Sequence, residues 1–254
     1  MVVLILIELC KAGEVKYLND VDFYIMEYHP RMTNKSDLAL EQAVKGKVIY
    51  LLALIVIVQF GYPITAYGTT ALVLFEILYA SMIIVGVIVG RDSKQHMIFL
   101  AVTGLIYLAA SLVYAMNPTA TWAIFITYFS LIPYLGMLIW VLGRFLAVVK
   151  SINLDVLYAA VAIYLLIGGL FVPLYGMIES IAPGSFRDGS SSTTFVQWQQ
   201  LVYYSYTSLT STGYGDILPI SWWARSLANL EMVSGGLFIT IVMSRLVALY
   251  SSEK

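Results

Sequence analysis

The chain reads Thr210-Ser211-Thr212-Gly213-Tyr214-Gly215-Asp216 between its last two long apolar stretches. This segment alternates glycine with residues that carry side chains, and glycine adopts positive φ angles at little steric cost. Backbone that alternates in this way turns successive carbonyl oxygens toward one axis. Such a row of carbonyls repels itself, so it persists only when a cation fills it. Uncharged carbonyl oxygens, extended by the hydroxyls of Thr210 and Ser211, suit a weakly hydrated monovalent cation better than a divalent one.

The segment closely resembles the selectivity filter of tetrameric potassium channels, where four Thr-Val-Gly-Tyr-Gly loops replace the hydration shell of K⁺. Four positions match that pattern without change, namely Gly213, Tyr214, Gly215 and Asp216. Ser211 stands at the Thr position and Thr212 at the Val position. The resemblance implies a filter over residues 210–215, in which the K⁺ ligands are Ser211, Thr212, Gly213 and Tyr214. K⁺ would be the permeant ion, and no other cofactor is expected.

The composition is that of a membrane protein. Of 254 residues, 60% are hydrophobic and 11% charged, and the mean hydropathy is +0.85. Soluble domains average about 45–50% apolar and about 25% charged residues. Cys10 is the only cysteine, which excludes a disulfide or cysteine-based metal site within the chain. The sequence contains no phosphate loop, dinucleotide fingerprint or catalytic triad, so we expect neither an enzyme nor a nucleic-acid partner.

Six apolar stretches reach or approach the roughly 20 residues that a membrane-spanning helix needs. They are residues 48–66, 70–89, 97–116, 121–149, 154–178 and 222–250. Backbone polar groups in lipid must be satisfied within the segment, so these stretches are predicted to be helices in contact with membrane lipids.

Basic residues predict the orientation of these helices. Lys and Arg occur before the first stretch, between the second and third, around the fourth-to-fifth connection and after the sixth, whereas residues 67–69 and 117–120 contain none. This is the positive-inside pattern for a protein with both termini in the cytoplasm. We expect an integral protein of the cell (plasma) membrane.

The fold class predicted is therefore an all-α integral membrane protein with six transmembrane helices, a re-entrant pore helix and a filter. Residues 1–46 form a cytoplasmic segment with an amphipathic stretch over 15–26 and an interfacial helix that starts at Ser36 and Asp37. Residues 47–150 form a four-helix domain that resembles a sensor, and residues 151–254 form the pore domain. Because one filter segment cannot encircle an ion, three identical subunits must complete a homotetrameric pore.

A short helix is predicted over residues 195–208, immediately before the filter. By resemblance, Tyr203 and Tyr204 fall where the family has two tryptophans that form a cuff around the filter, and Tyr203 would donate a hydrogen bond to Asp216. The alternative is that these tyrosines are ordinary interfacial aromatics.

Two carboxylates and a glycine pair lie within the predicted spans. Glu231 is expected behind the filter or pore helix, bonded to a hydroxyl or the backbone, as a support rather than an ion ligand. Glu76 resembles in position the acidic countercharge of voltage sensors. Gly235, beside Gly236, matches the gating hinge of inner helices by resemblance, while the alternative is that two small residues let helices pack closely.

The fourth stretch contains no Lys or Arg before Arg144 at its end, so little or no voltage sensing is expected. The function predicted is a potassium-selective channel. Three alternatives stay open: a weakly selective monovalent cation channel, because Ser211 and Thr212 depart from the pattern; a cation transporter, which would usually show paired repeats; and a membrane scaffold that does not conduct.

Overall fold

Long apolar runs fold here as helices that are separated by short polar turns. The computed structural model describes residues 35–117, 120–149, 151–189 and 196–252. The predicted amphipathic stretch over 15–26 and Phe195, the first residue of the predicted short helix, lie outside the described residues.

The described residues form eight α-helices, one 3₁₀ segment and two short strands. The α-helices are α1 (Lys35–Val44), α2 (Val48–Gly61), α3 (Thr69–Val89), α4 (Lys94–Met116), α5 (Thr121–Val148), α6 (Leu154–Ile181), α7 (Trp198–Leu209) and α8 (Trp222–Ser252). The 3₁₀ segment spans Tyr62–Tyr67, and the strands are β1 (Phe186–Asp188) and β2 (Ile217–Pro219).

Within the described residues, six helical segments are long and apolar enough to cross a membrane. They are Val48–Thr65, Thr70–Val89, Lys94–Met116, Thr121–Val148, Leu154–Ile181 and Trp222–Ser251. The six predicted spans are thus confirmed in length and composition, and their boundaries differ by a few residues. The first span tightens into the 3₁₀ segment near Pro63, because proline lacks the N–H that an α-helical turn requires.

Helix α6 is the centre of the packing. It contacts α2 and α5 on one side and α7 and α8 on the other. Its most apolar stretch is 72% buried, against 22% for that of α8. Asn153 caps its first turn by accepting a hydrogen bond from the Val156 N–H, and the Asp155 carboxylate accepts one from the Gly46 N–H at the end of α1. Helix α6 therefore joins α2 and α5 to α7 and α8.

A two-stranded antiparallel ribbon, which the sequence analysis did not predict, joins the two ends of the connection between α6 and α8. Phe186 pairs with Pro219 and Asp188 with Ile217. The Glu179 carboxylate fixes the turn before β1, because it accepts hydrogen bonds from the N–H groups of Gly184 and Phe186. The ribbon holds the residues that follow residue 216 against the end of α6.

Arg245 ties the last third of α8 to the C-terminal end of α5. Its buried guanidinium donates hydrogen bonds to the carbonyl oxygens of Leu146, Ala147 and Val149, at 2.8, 2.7 and 3.1 Å. The last carbonyls of a helix have no partner within that helix, so these bonds complete the end of α5.

Replacement of Arg245 by glutamine should lower the thermal stability of the detergent-solubilised protein. The glutamine side chain is shorter than arginine and cannot donate to three carbonyl oxygens as the planar guanidinium does. Buried acceptors therefore lose their donors. We expect a fall in melting temperature of about 5 °C or more, measured by tryptophan fluorescence. Arg91→Gln makes the same chemical change on an exposed turn and is the control. Equal melting temperatures for the two variants would contradict the capping role.

Candidate functional site

The candidate site begins with the short helix α7, which the sequence analysis expected over 195–208 and the structure places at Trp198–Leu209. A reciprocal capping box starts it, in which the Gln197 side chain accepts from the backbone of Gln200 and the Gln200 side chain accepts from the Gln197 N–H. With twelve residues, α7 is too short to cross a membrane.

The residues after α7 close its C-terminal end. The Thr212 N–H donates to the Thr207 carbonyl at 2.9 Å, and the Ser211 N–H donates to the Ser208 carbonyl at 2.9 Å. This pair of bonds is a Schellman motif, with Ser211 at the left-handed position that glycine usually occupies. Its φ of 55° is the one positive value of a non-glycine residue among the described residues. The end of the helix and the start of the candidate filter are therefore one hydrogen-bonded unit.

Positive φ angles alternate along this segment. Ser211, Gly213 and Gly215 have φ values of 55°, 55° and 80°, and the residues between them do not have positive φ. Every residue from Thr210 to Asp216 is exposed in the single chain, and Tyr214 is 72% exposed. No atom lies within 4 Å of a Cβ built on Gly213 or Gly215. The structure thus brings the predicted ligand residues together on one open surface of the chain.

Two hydroxyl groups meet at the start of the segment, beside the C-terminal end of α7. Thr210 Oγ1 donates to the Tyr206 carbonyl at 2.7 Å and lies 2.8 Å from Thr212 Oγ1. The Thr210 hydroxyl, which we expected to extend the row of oxygens, is therefore also bonded to α7.

Asp216 anchors the outer end of the segment through three groups. Its Oδ2 accepts a hydrogen bond from the Tyr203 hydroxyl at 2.8 Å, which is the contact expected from the resemblance. Its Oδ1 accepts from the Ile217 N–H at 3.0 Å, and its carbonyl accepts from the Gly189 N–H at 2.7 Å. Asp216 thus links α7 to both strands of the β1–β2 ribbon, at the end where Asp188 pairs with Ile217.

The two tyrosines of the expected cuff lie in different surroundings. The Tyr203 ring stacks on that of Tyr214, with centroids 6.4 Å apart and planes 6° apart. Its hydrogen bond to Asp216 raises the pKa of the Tyr203 hydroxyl to about 12. Tyr204 is buried and meets Tyr175 and Phe186 edge to face, at 5.2 and 5.3 Å. Tyr204 therefore packs α7 against α6 and β1.

Glu231 lies behind α7, as expected, and is fully buried. The Tyr175 hydroxyl donates to Glu231 Oε2 at 2.5 Å, and Ser205 Oγ lies 2.5 Å from Oε1 and 2.8 Å from the Gly168 carbonyl oxygen. This carboxylate joins α6, α7 and α8 at one point. A buried acidic group is stable only when its oxygens are hydrogen-bonded, and both are bonded here.

Gly235 marks a close approach between α8 and the end of α7. A Cβ built on Gly235 would lie 2.3 Å from the Leu209 carbonyl oxygen, whereas one built on Gly236 meets nothing within 4 Å. The packing alternative therefore accounts for Gly235. The hinge predicted there stays a prediction, since α8 is one unbroken helix from Trp222 to Ser252.

Three supporting residues were missed by the sequence analysis. Tyr175 and Ser205 bind Glu231, but in the sequence each is a single hydroxyl residue that belongs to no recognisable motif. Glu179 was placed beyond a helix expected to end at residue 178, while α6 continues through Ile181. The signal that indicates Glu179 is its position as an acidic residue in the last turn of a long apolar helix.

Among the described residues, no group of three or more His, Cys, Asp or Glu side chains could hold a metal ion.

A family model matches the second part of the chain. Residues 155–252 match the model of a family described as an ion channel. The matched part begins in the first turn of α6 and ends with α8, so it contains α7, the filter-like segment and the ribbon. No curated protein and no solved structure matches the chain. The match and the six apolar helices together support an ion channel in a membrane.

Gly235→Ala should disturb the seat of α8 on α7, whereas Gly236→Ala should not. The added methyl of the first variant meets a backbone oxygen, which cannot rotate away, while the second enters open space. We expect a clear fall in melting temperature for the first variant, equivalent to about 1–3 kcal/mol, and little change for the second. Equal stability of the two variants would show that the contact with Leu209 is unimportant.

Proposed function

We propose that the protein is a potassium-selective channel formed by four identical chains, with residues 210–215 as the filter. The observation that carries the proposal is the alternation of positive φ at Ser211, Gly213 and Gly215 on an open segment directly after a short helix. That segment lies inside the part that matches an ion channel family.

The surface of the single chain supports an assembly of several copies. Within the single chain, the proposed filter segment is held by protein on one side, through Asp216 and the end of α7. Helix α8 leaves apolar side chains open along its length, among them Leu230, Val233, Leu237 and Met243. Neighbouring subunits around a central axis would cover part of this face and leave the rest to line the pore. Lipid would contact the outer helices.

The direction of α7 also favours a cation at the filter. The C-terminal end of a helix carries a partial negative charge, and here it points to the first filter residue, Thr210. Four such ends would face the axis of a tetramer. Carbonyl and hydroxyl oxygens supply the remaining ligands, as in filters that strip the hydration shell from K⁺.

We expect this channel to respond little to voltage. Helix α5 contains a single basic residue, Arg144, in its last turns, where it lies 3.8 Å from Asp92. Work done by a membrane potential needs charges within the field, at about 2.3 kcal/mol per charge per 100 mV. In the proposed orientation both termini are cytoplasmic, as the basic residues predict, and the membrane is the plasma membrane.

Reversal potentials of the reconstituted protein test the selectivity. With K⁺ on one side of a planar bilayer and an equal concentration of Na⁺ on the other, a potassium channel gives a large reversal potential, negative on the K⁺ side, whereas equal permeability gives a reversal potential of zero. Equal permeability would favour the weakly selective channel, which Ser211 and Thr212 make the second candidate. Saturable flux far below channel rates would indicate a transporter instead, and absence of flux a scaffold.

Alanine at Gly213 or Gly215 should abolish conduction. Both glycines have room for a methyl group within the single chain, so the loss of conduction would not come from a steric clash. It would come from the positive φ, which costs a residue with a side chain about 1–2 kcal/mol. Gly184→Ala is the matched control, because Gly184 has φ +84° and nothing within 4 Å of its Cβ position. Normal currents from the Gly213 and Gly215 variants would contradict the filter.

Tyr203→Phe should reduce the stability of the conducting state while selectivity is retained. Phenylalanine keeps the ring that stacks on Tyr214 and removes the donor to Asp216. We expect open probability to fall by about ten-fold at most, the effect of one modest hydrogen bond. Single-channel recording measures it. Tyr204→Phe removes the adjacent hydroxyl, which does not bond Asp216, and should change open probability less.

A further inference from the structure

A cavity of about 120 Å³ lies between the first four spanning helices and the pore-domain elements. Side chains of α2 to α7 all contribute to its wall, and Trp198, the first residue of α7, is among them. Its volume is close to that of the engineered cavity of about 150 Å³ that binds benzene. The candidate filter and Glu231 do not line it, so it is separate from the site described above.

Polar groups face this cavity without full partners. Glu76 on α3 receives one hydrogen bond, from the Ser111 hydroxyl at 3.0 Å, and forms no ion pair within the part of the chain that the structure describes. Gln59 on α2 is only 6% exposed, and its side-chain amide forms no hydrogen bond with any described residue. Gly169 on α6 provides the space for this amide, since a Cβ there would lie 2.1 Å from Gln59 Nε2. Buried polar groups of this kind normally have partners.

Aromatic rings form a continuous wall beside Glu76. Tyr62 lies 6.2 Å from Trp198, Trp198 lies 5.8 Å from Phe75, and Phe75 lies 6.0 Å from Tyr79. Tyr79 is in turn 4.9 Å from Tyr107 on α4, measured between ring centroids. The faces of these rings are electron-rich and attract cations, most strongly where water is excluded.

We propose that this cavity is a binding site for a small organic ammonium ion. The Glu76 carboxylate would neutralise the positive charge, the rings of Tyr79 and Tyr107 would surround it, and the Gln59 carbonyl oxygen would supply a further polar contact. No basic residue of α5 reaches this position, because residues 121–143 contain neither Lys nor Arg. The carboxylate therefore has a place for a cation that none of the described residues provides.

The volume and chemistry limit the ligand class. A cavity of this size holds about five to seven non-hydrogen atoms. A substituted ammonium with apolar groups fits the mixture of one carboxylate and several rings better than an inorganic cation, which would keep its water. A free amine and the ammonium of a lipid headgroup both present this chemistry. Since Trp198 begins α7, an occupant would contact the helix that leads to the proposed filter.

Tetramethylammonium and tert-butanol provide a matched pair of probes. They have nearly the same shape and number of non-hydrogen atoms, but only the first is charged. Calorimetric titration of the full chain in lipid nanodiscs should give saturable binding of tetramethylammonium and none of comparable affinity for tert-butanol. Protein-free nanodiscs give the blank. Equal binding of both probes, or no saturable binding of tetramethylammonium in any lipid, would overturn the proposal.

Variants locate the binding. Glu76→Gln keeps the shape and an acceptor for Ser111 but removes the charge, so the affinity for tetramethylammonium should fall at least about ten-fold. Glu41→Gln, the same change on the exposed surface of α1, should bind like the unmodified protein. If Glu76→Gln fails to fold, Tyr107→Leu tests the ring contribution and should also weaken binding. Unchanged affinity in the folded variants would exclude this cavity.

The lipid composition separates the two sources. In phosphatidylcholine nanodiscs, a headgroup that occupies the cavity would compete and lower the apparent affinity for tetramethylammonium relative to phosphatidylglycerol nanodiscs, with both measured at high ionic strength so that the surface charge of the anionic lipid is screened. Equal affinity in both would indicate a site for free amines. The assay requires no conduction, so a failure of the potassium channel proposal and a failure of this site would be distinguished.

Discussion

The C-terminal end of α7 sets the main constraint on this structure. The last carbonyl oxygens of a helix have no partner within that helix, and each needs a donor from elsewhere. Here the N–H groups of Ser211 and Thr212 turn back onto Ser208 and Thr207. That turn forces a positive φ at Ser211 and begins the alternation that the two glycines continue. The open backbone of the segment is thus a consequence of how the helix ends.

Two carboxylates hold this unit from opposite ends. Glu231 fastens α7 from behind through Ser205, and it reaches α6 through Tyr175. Asp216 fastens the far end of the segment to Tyr203 and to the ribbon. Neither carboxylate pairs with a basic residue among those described. Neutral donors fix position without supplying a positive charge, and this keeps the segment between them favourable to a cation.

The sequence predicted those features that leave a pattern in consecutive residues. Apolar runs revealed the six spans, and the glycine-punctuated motif revealed the segment from Thr210 to Asp216, along with its contact to Tyr203. The ribbon was missed because each strand has three residues, and Arg187 and Leu218 are far apart in the chain. Tyr175 and Ser205 were missed because their role depends on where α6 and α7 cross Glu231, which spacing alone does not give. The sequence indicates that Gly235 matters. Only its close approach to the Leu209 carbonyl oxygen favours a packing role over a hinge.

The first four spanning helices reach α7 and α8 at two separate places. At one end Arg245 of α8 holds the last carbonyls of α5, and at the other Trp198 of α7 joins the aromatic wall beside Glu76. A stimulus shifts a conformational equilibrium only through contacts that differ between the two states. Any movement of α8 away from α5 would break three hydrogen bonds to one guanidinium, and any occupant of the cavity would touch α7. In the proposed channel, α5 carries no charge in its middle on which a membrane potential could act, so these two contacts are where control would act.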